Sequence, residues 1–444
     1  MLYRVLCLSI VCATTASSAP ADTTTVDRTK DATSFVALLA KGGFTEAVNA
    51  FDTTMRDALP ELKLRDVWNS LIAQTGAFVK QRATRIDRTG GYQIVFVTCE
   101  FERANLDAKV VYNAEGKVAG LFFLPSPDTR APNTPPYVSE DAFDEVEIMF
   151  GEAPWVLPGT ISLPKGDGPF PAVVLVHGSG PQDRDETVAA NKPFRDLAWG
   201  LASRGVAVLR YEKRTKQHAK ALDPLPLPFT VKEETVDDAV AAFKALAERK
   251  GVDSEKVYVL GHSLGGMLIP RIAERLPRAA GYIILAGTTR PLEDVILEQS
   301  SYIALLDGNT SVEEQKQLDA VQQEVNRIKK LTKADLSNPA LIFGAPACYW
   351  FDLRIYDPAQ KAKQVSKPLL VLQGERDYQV TMADFTRWKE TLSGNTNATL
   401  KSYPGLNHLL VQGNGPSAPT EYASPGHVSQ QVIEDIAAWI KRVD

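Results

Sequence analysis

The chain is poor in the residues that build metal centres and disulfide frameworks. Its 444 residues include only 4 cysteines and 5 histidines, with no zinc-type Cys/His spacing and no histidine pair. No metal site is therefore expected, and four cysteines this far apart do not form a disulfide scaffold. Cys7 and Cys12 lie in an N-terminal apolar segment. Cys99 and Cys348 are distant from each other and are read as buried apolar thiols rather than a bridge or a nucleophile. Basic clusters are also lacking, and the net charge is −5. That balance argues against a nucleic-acid partner or an anionic membrane surface. No apolar run approaches the roughly 20 residues of a spanning helix, so stable membrane insertion is not expected. What remains is a chain with 44% hydrophobic and 23% charged residues, the composition of a folded protein of two or three domains.

Residues 1–21 read as an export signal. Arg4 is the only charge, Val5 to Ala13 is apolar, and Ala19-Pro20-Ala21 offers an A-x-A cleavage site. Export to the periplasm or the extracellular space follows. A lipid anchor on Cys12 fits less well, because Ser9-Ile10-Val11 lacks the small residue usual before such a cysteine. A weakly hydrophobic linker from Asp22 leads to a unit over residues 34–125. Phe35, Leu38, Leu39, then Phe44, Ala47, Phe51, then Leu64, Val67, Trp68, Leu71 recur at helical spacing. Strand-like runs follow at Tyr92 to Thr98, Ala108 to Tyr112 and Ala119 to Leu124, with a turn at Asn113 to Gly116. The unit is expected to be a small α+β domain without a catalytic constellation. A linker over residues 126–136, rich in proline, marks the boundary.

From residue 137 to 444 strands and helices alternate. Strand-like runs are Val173 to Val176, Val206 to Leu209, Val257 to Leu260, Tyr282 to Ala286 and Leu369 to Leu372. Helical runs are Phe194 to Ser203, Val231 to Arg249 and Leu264 to Leu276. Nearly continuous apolar strands between helices predict an α/β fold, a mostly parallel sheet covered on both faces. The alternation breaks over about 291–364, where amphipathic helical patterning suggests a cap insertion. Pro270 falls early in a helical run, where it costs a backbone hydrogen bond.

Chemistry concentrates in four segments. Val257 to Leu260 leads into Gly261-His262-Ser263-Leu264-Gly265-Gly266 and then a helical run. Strand, Gly-x-Ser-x-Gly, helix is the nucleophile-elbow arrangement, with Ser263 exposed on the turn and the Leu264 N–H aimed at the same volume. Asp377, in the loop after Leu369 to Leu372, is placed to orient a histidine. His408 follows the run Thr399 to Tyr403 and completes the order Ser, Asp, His. His177-Gly178-Ser179-Gly180-Pro181 follows Val173 to Val176, and the Ser179 N–H is a second candidate oxyanion donor. His177 is read as structural. The alternating charges within Gln182 to Glu186 are read as a network pinning that loop, and His262 as packing at the elbow. Glu293 and Asp294 are alternative acids. Asp352 and Asp357 serve structure. Tyr349 and Trp350, with Phe351, are candidates either for a substrate pocket or for the core.

On these residues the chain resembles the α/β-hydrolase superfamily from about Val146 to the C-terminus. His177 to Glu186 (HGSGPQDRDE), Gln373 to Val380 (QGERDYQV) and Tyr403 to His408 (YPGLNH) resemble a subgroup of bacterial secreted serine hydrolases, in which a small domain of unknown function precedes the catalytic one. The resemblance implies an α/β-hydrolase fold and hydrolysis of a small-molecule carboxylic ester by Ser263, His408 and Asp377 through an acyl-enzyme. Leu264 and Ser179 would form the oxyanion hole, and no cofactor is implied. Two alternatives stay open. One is a serine aminopeptidase or dipeptidyl peptidase using the same triad, with cap carboxylates such as Glu293 and Glu313 for the amine. The other is a surface-binding role for the N-terminal domain.

Overall fold

The structure is a computed structural model that describes residues 27–442, apart from 90–91, 103–104, 127–133 and 227. The segment read as an export signal and most of the Pro-rich linker lie outside those residues. The chain divides into two compact units, Met1–Pro132 and Asn133–Asp444.

The first unit opens with helices α1 (Thr29–Ala40), α2 (Phe44–Asn49), α3 (Thr53–Ala58) and α4 (Glu61–Thr75). The helical spacing explains them: α1 buries Ala32, Phe35, Val36 and Leu39 on one face. Asp52 caps α3 by accepting from the Met55 N–H at 2.8 Å. Strands β1 (Phe78–Thr89), β2 (Tyr92–Phe101), β3 (Asn105–Tyr112) and β4 (Val118–Pro125) form an antiparallel meander in chain order. Trp68 of α4 packs within 5.7–6.2 Å of the Phe78, Phe101 and Phe123 rings. The sequence patterns anticipate three of these strands. β1 escapes them because it is an edge strand of mostly charged and polar residues, nearly all exposed, so its alternation carries no apolar signal.

The second unit is built on an eight-stranded sheet of β5 (Phe143–Phe150), β6 (Leu157–Pro164), β7 (Phe170–Val176), β8 (Ala207–Tyr211), β9 (Val252–His262), β10 (Gly281–Leu285), β11 (Leu369–Gly374) and β12 (Ala398–Tyr403). Their order is β12-β11-β10-β9-β7-β8-β6-β5. The strands from β7 onward pair in parallel, while β6 pairs antiparallel with both β5 and β8. The sequence does not show β5 and β6 as strand patterns. β5 places Asp144, Glu145 and Glu147 between its two buried ends, and β6 is interrupted by Pro158 and Gly159.

Among the described residues this unit has the α-helices α5 (Pro193–Ala202), α6 (Arg214–Gln217), α7 (Asp237–Ala247), α8 (Leu264–Arg275), α9 (Leu292–Ala304), α10 (Val312–Lys329), α11 (Ala347–Arg354), α12 (Pro358–Ala362), α13 (Met382–Thr391) and α14 (Gln430–Arg442). The central strands of the sheet are buried on both faces. Val174, Val176, Val257 and Val259 pack with Phe243, Met267, Leu268 and Trp388. Val173, Leu175, Tyr258 and Leu260 face the other way, onto Phe194, Leu197, Ile433 and Ile436. That is why these strands read as continuous apolar runs rather than alternating ones. Pro270 lies buried inside α8 without ending the helix.

Strand order sets the position of the site. The chain leaves β7 to build β8 on one side, then returns to build β9 on the other. Open α/β sheets bind ligands where such connections diverge, which here is beyond the carboxyl ends of β7 and β9. The helices α9 to α12 occupy the break between β10 and β11. Ser311 and Glu314 form a capping box that starts α10. α9 leans on the loops that follow β11 and β12. Tyr302 stacks on Tyr378 at 5.1 Å and 9°, its hydroxyl donates to the Ser417 carbonyl at 2.8 Å, and Gln299 Nε2 donates to the Gln379 carbonyl at 2.9 Å.

Candidate active site

Ser263 sits between β9 and α8 with φ 53° and ψ −117°. For a residue with a Cβ this backbone costs about 1–3 kcal/mol and persists only where the surroundings enforce it. They do: the Ser263 N–H donates to the Leu285 carbonyl at 2.9 Å, and its own carbonyl accepts from the Met267 N–H at 2.9 Å. The flanking glycines serve space rather than φ, since neither has a positive value. A Cβ on Gly261 would collide with the Gly265 carbonyl, and one on Gly265 with the Val176 carbonyl.

Asp377 and His408 meet directly, with His408 Nδ1 2.7 Å from Asp377 Oδ2 and both side chains buried. The carboxylate is fixed by the chain around it. Oδ1 accepts from the Gln379 and Val380 N–H groups at 2.8 and 2.9 Å, and Oδ2 also accepts from Gln373 Nε2 at 3.0 Å. An acceptor at Nδ1 selects the tautomer with its proton there and leaves the Nε2 lone pair free to take a proton. Among the described residues no hydrogen bond joins the Ser263 hydroxyl to His408. What couples the two loops is His262, next to Ser263. Its ring lies 4.7 Å from that of His408, and its Nε2 is 3.0 Å from the His408 carbonyl.

The loop after β7 lies against the elbow: a Cβ on Gly178 would stand 3.0 Å from Ser263 Cβ and 3.5 Å from its Oγ. Among the described residues, the Ser179 and Leu264 N–H groups donate to no protein acceptor. The loop is held from both sides. The Gly178 N–H donates to Glu186 Oε1 at 2.6 Å, and the Gly178 carbonyl accepts from Lys213 Nζ at 2.8 Å. Glu186 Oε2 is also 2.9 Å from His262 Nδ1. Both ring nitrogens of His262 face acceptors, an arrangement that favours the doubly protonated, cationic ring. Burial opposes that charge, but the Glu186 carboxylate and the His408 carbonyl outweigh it and hold the His262 pKa above its usual value. Burial likewise opposes the Glu186 charge, yet His262 and the Gly178 N–H hold its pKa below the usual range. His177 behaves oppositely. Burial, aided by the Lys213 charge, drives its pKa down to about 4, and the neutral ring packs on Phe194 and Tyr211.

The charged run after this loop is the network its sequence suggested. Asp183 Oδ1 accepts from the Asp185 and Thr187 N–H groups. Arg184 pairs with Glu147 and Glu212, and Asp185 with Lys192 and Arg210. Sequence reasoning missed Lys213 and Glu234. A lysine two residues past a buried strand gives no sign that it turns inward. Tyr349 and Trp350 belong to the hydrophobic core; the Tyr349 hydroxyl donates to Glu234 at 2.7 Å and Trp350 Nε1 to the Ile342 carbonyl at 2.6 Å. Asp294 pairs with Lys329, Asp352 with Arg271 and Asp357 with Arg387. Among the described residues no three His, Cys, Asp or Glu side chains group as a metal site, and no helix is long and apolar enough to cross a membrane.

Residues 169–414 match the family described as serine aminopeptidase, S33, a hydrolase family, and residues 32–121 match one described as a protein of unknown function, DUF3887. Esterase EstD of Thermotoga maritima is 43% identical over 406 residues, covering 91% of this chain and 93% of that protein. Among solved structures, an esterase of Pyrococcus furiosus is 16% identical with a TM-score of 0.42, covering 71% of this chain and 97% of that one. Est1E from Butyrivibrio proteoclasticus is 15% identical with a TM-score of 0.42, covering 67% of this chain and 98% of that one. The chain belongs to the α/β-hydrolase family described as serine aminopeptidase, S33, and carries a DUF3887 domain ahead of it.

Proposed function

We propose that the protein is a serine carboxylesterase working through Ser263, His408 and Asp377. The observation that carries this reading is the buried Asp377–His408 bond beside the Ser263 elbow. Ser263 Oγ attacks the ester carbonyl while His408 Nε2 takes its proton, and Asp377 stabilises the imidazolium. The negative oxygen is received by the Ser179 and Leu264 N–H groups. His408 then protonates the leaving alcohol, and a water that gives its proton to His408 releases the acid. An ester substrate is favoured by the high identity to a protein named an esterase. A peptidase that grips a free amine needs an ionised carboxylate. Of the two cap carboxylates weighed for that role, Glu313 is exposed and paired with Lys316, and the Glu293 side chain is buried, away from a soluble amine.

The domain assignment belongs to the same reading: residues 34–125 as a separate small domain, 137–444 as the catalytic domain, and about 291–364 as its cap. So does export with cleavage after Ala21, which N-terminal sequencing of the mature protein checks. Hydrolysis of p-nitrophenyl acetate and butyrate tests the activity. Ser263→Ala should abolish it while far-UV circular dichroism is unchanged; retained turnover in that variant ends the assignment.

A further inference from the structure

The Gly178–Ser179 peptide is gripped by a cation that the triad chemistry does not use. Its oxygen accepts from Lys213 Nζ at 2.8 Å, and its N–H is the Ser179 donor. Lys213 is only 2% exposed. Its ammonium pairs with Glu234 Oε1 at 3.1 Å, and Glu234 Oε2 accepts from the Tyr349 hydroxyl at 2.7 Å. The Lys213 N–H donates to the Gln182 carbonyl at 3.1 Å, so the residue is tied to the same loop by backbone and side chain. Stripping water from an ammonium is costly unless partners replace it, and one of the replacements here is a single backbone carbonyl. The consequence is electronic as well as steric. A cation on a peptide oxygen draws density from the amide and makes its N–H a stronger donor. It also fixes the peptide plane, and with it the direction of that N–H.

We propose that Lys213 is a positioning residue for the oxyanion: acting through the Gly178–Ser179 peptide, it aims and polarises the Ser179 N–H toward the negative oxygen that forms when Ser263 attacks an ester. Glu234 and Tyr349 hold the ammonium in place. Lys213 itself exchanges no proton and forms no bond to substrate. The inference rests on the assignment of Ser263 as nucleophile and Ser179 as oxyanion donor.

The test is Lys213→Met, which keeps the length of the stem and removes the charge, with Tyr349→Phe as a milder variant that keeps the ring and frees one Glu234 oxygen. Losing a direct oxyanion donor lowers kcat by about 10²–10³-fold, so an indirect effect of roughly 10–100-fold is expected for Lys213→Met, with KM changed less than about threefold. The inhibition constant of a trifluoromethyl ketone, whose adduct with Ser263 carries the oxyanion, should weaken by the same factor as kcat/KM. Tyr349→Phe should show a smaller loss on the same line. A folded Lys213→Met variant with kcat within about threefold of wild type overturns the inference, as does a loss of kcat/KM with the ketone affinity unmoved. Should Lys213→Met fail to fold, unchanged kcat/KM and ketone affinity in Tyr349→Phe overturn it. Ser263→Ala, run beside them, separates the two claims. Turnover surviving in that variant removes the nucleophile assignment itself, whereas a dead Ser263→Ala with an active Lys213→Met removes only the role of Lys213.

Discussion

His262 donates one ring hydrogen to the backbone carbonyl of His408 at 3.0 Å and the other to Glu186 at 2.9 Å. The residue beside the candidate nucleophile therefore holds the loop of the candidate base. Through Glu186 it also reaches the Gly178 N–H, in the loop of the candidate oxyanion donor. Three loops from three strand ends share one buried ion pair. Glu186 is held at φ 51°, a strained backbone for a residue with a side chain of its size. Strain in the loop and charge in the core are both tolerated where the three loops must keep a fixed spacing.

A double-mutant cycle on this pair should show strong coupling. Glu186→Gln leaves a buried imidazolium without its carboxylate, and loss of one partner of a buried pair costs about 3–5 kcal/mol. His262→Asn leaves the carboxylate exposed to the same penalty. The double variant should recover part of the loss, giving a coupling above about 1 kcal/mol in urea unfolding at about pH 6. The coupling has a pH window. The raised His262 pKa adds stability that is present below about 6.5 and is lost as pH rises through the folded value. The lowered Glu186 pKa adds stability that is present above about 4.5 and is lost as pH falls through the folded value. Coupling that is absent between about pH 4.5 and 6.5, or that grows on the alkaline side, contradicts a charged pair.

His177 should make the protein acid-labile. Its pKa is about 4 in the fold against about 6.5 in an unfolded chain. Between those values the unfolded state binds the extra proton, so stability rises with pH across that interval. From pH 7 down to pH 5 the loss from this one group is about 2 kcal/mol. His177→Phe keeps an aromatic ring beside Phe194 and Tyr211 and removes the titration. Its unfolding free energy should therefore fall less than that of wild type over the same range. Parallel curves for the two proteins would remove His177 as the cause.

How much of this the sequence shows depends on the range of each interaction. The elbow is legible because its requirements are local: glycines where a Cβ would meet a carbonyl, after an apolar strand. Asp377 and His408 are legible because loops that end parallel strands converge on one sheet edge. β1 and β5 are not, because edge strands carry charge to discourage further pairing and so lose the apolar alternation. Nor are the pairs Glu186–His262 and Lys213–Glu234 legible, since partners 76 and 21 residues apart are chosen by the packing of separate loops. Tyr349 shows the same limit. Its sequence context admits a pocket or a core, and only the fold reveals that its hydroxyl is spent on Glu234.

Asp377→Asn should lower kcat by on the order of 10³- to 10⁴-fold while leaving the fold intact. The amide oxygen can still accept from the Gln379 and Val380 N–H groups. That choice turns the amide nitrogen toward His408 Nδ1, which must then accept, moving the ring proton to Nε2. A histidine protonated at Nε2 cannot take the Ser263 proton. The loss should appear in kcat with p-nitrophenyl butyrate and should be largely absent from KM. A variant within tenfold of wild type would show that Asp377 does not set the tautomer.

Gly178→Ala probes the approach of the loop after β7 to Ser263. The new methyl would stand 3.0 Å from Ser263 Cβ and 3.2 Å from Glu186 Oε1. Carbon atoms pack best at about 3.5–4.0 Å, so one side must move by several tenths of an ångström. Moving the loop swings the Ser179 N–H out of line, and moving Ser263 disturbs a backbone already held at φ 53°. Either shift is small for the fold but large for an oxyanion donor, whose contribution depends on a donor distance of about 2.7–3.1 Å. We expect kcat to fall by roughly 10–100-fold with the thermal midpoint lowered by only a few degrees. A fall in midpoint with unchanged kcat would show that the clash is absorbed without moving a donor to the reacting oxygen.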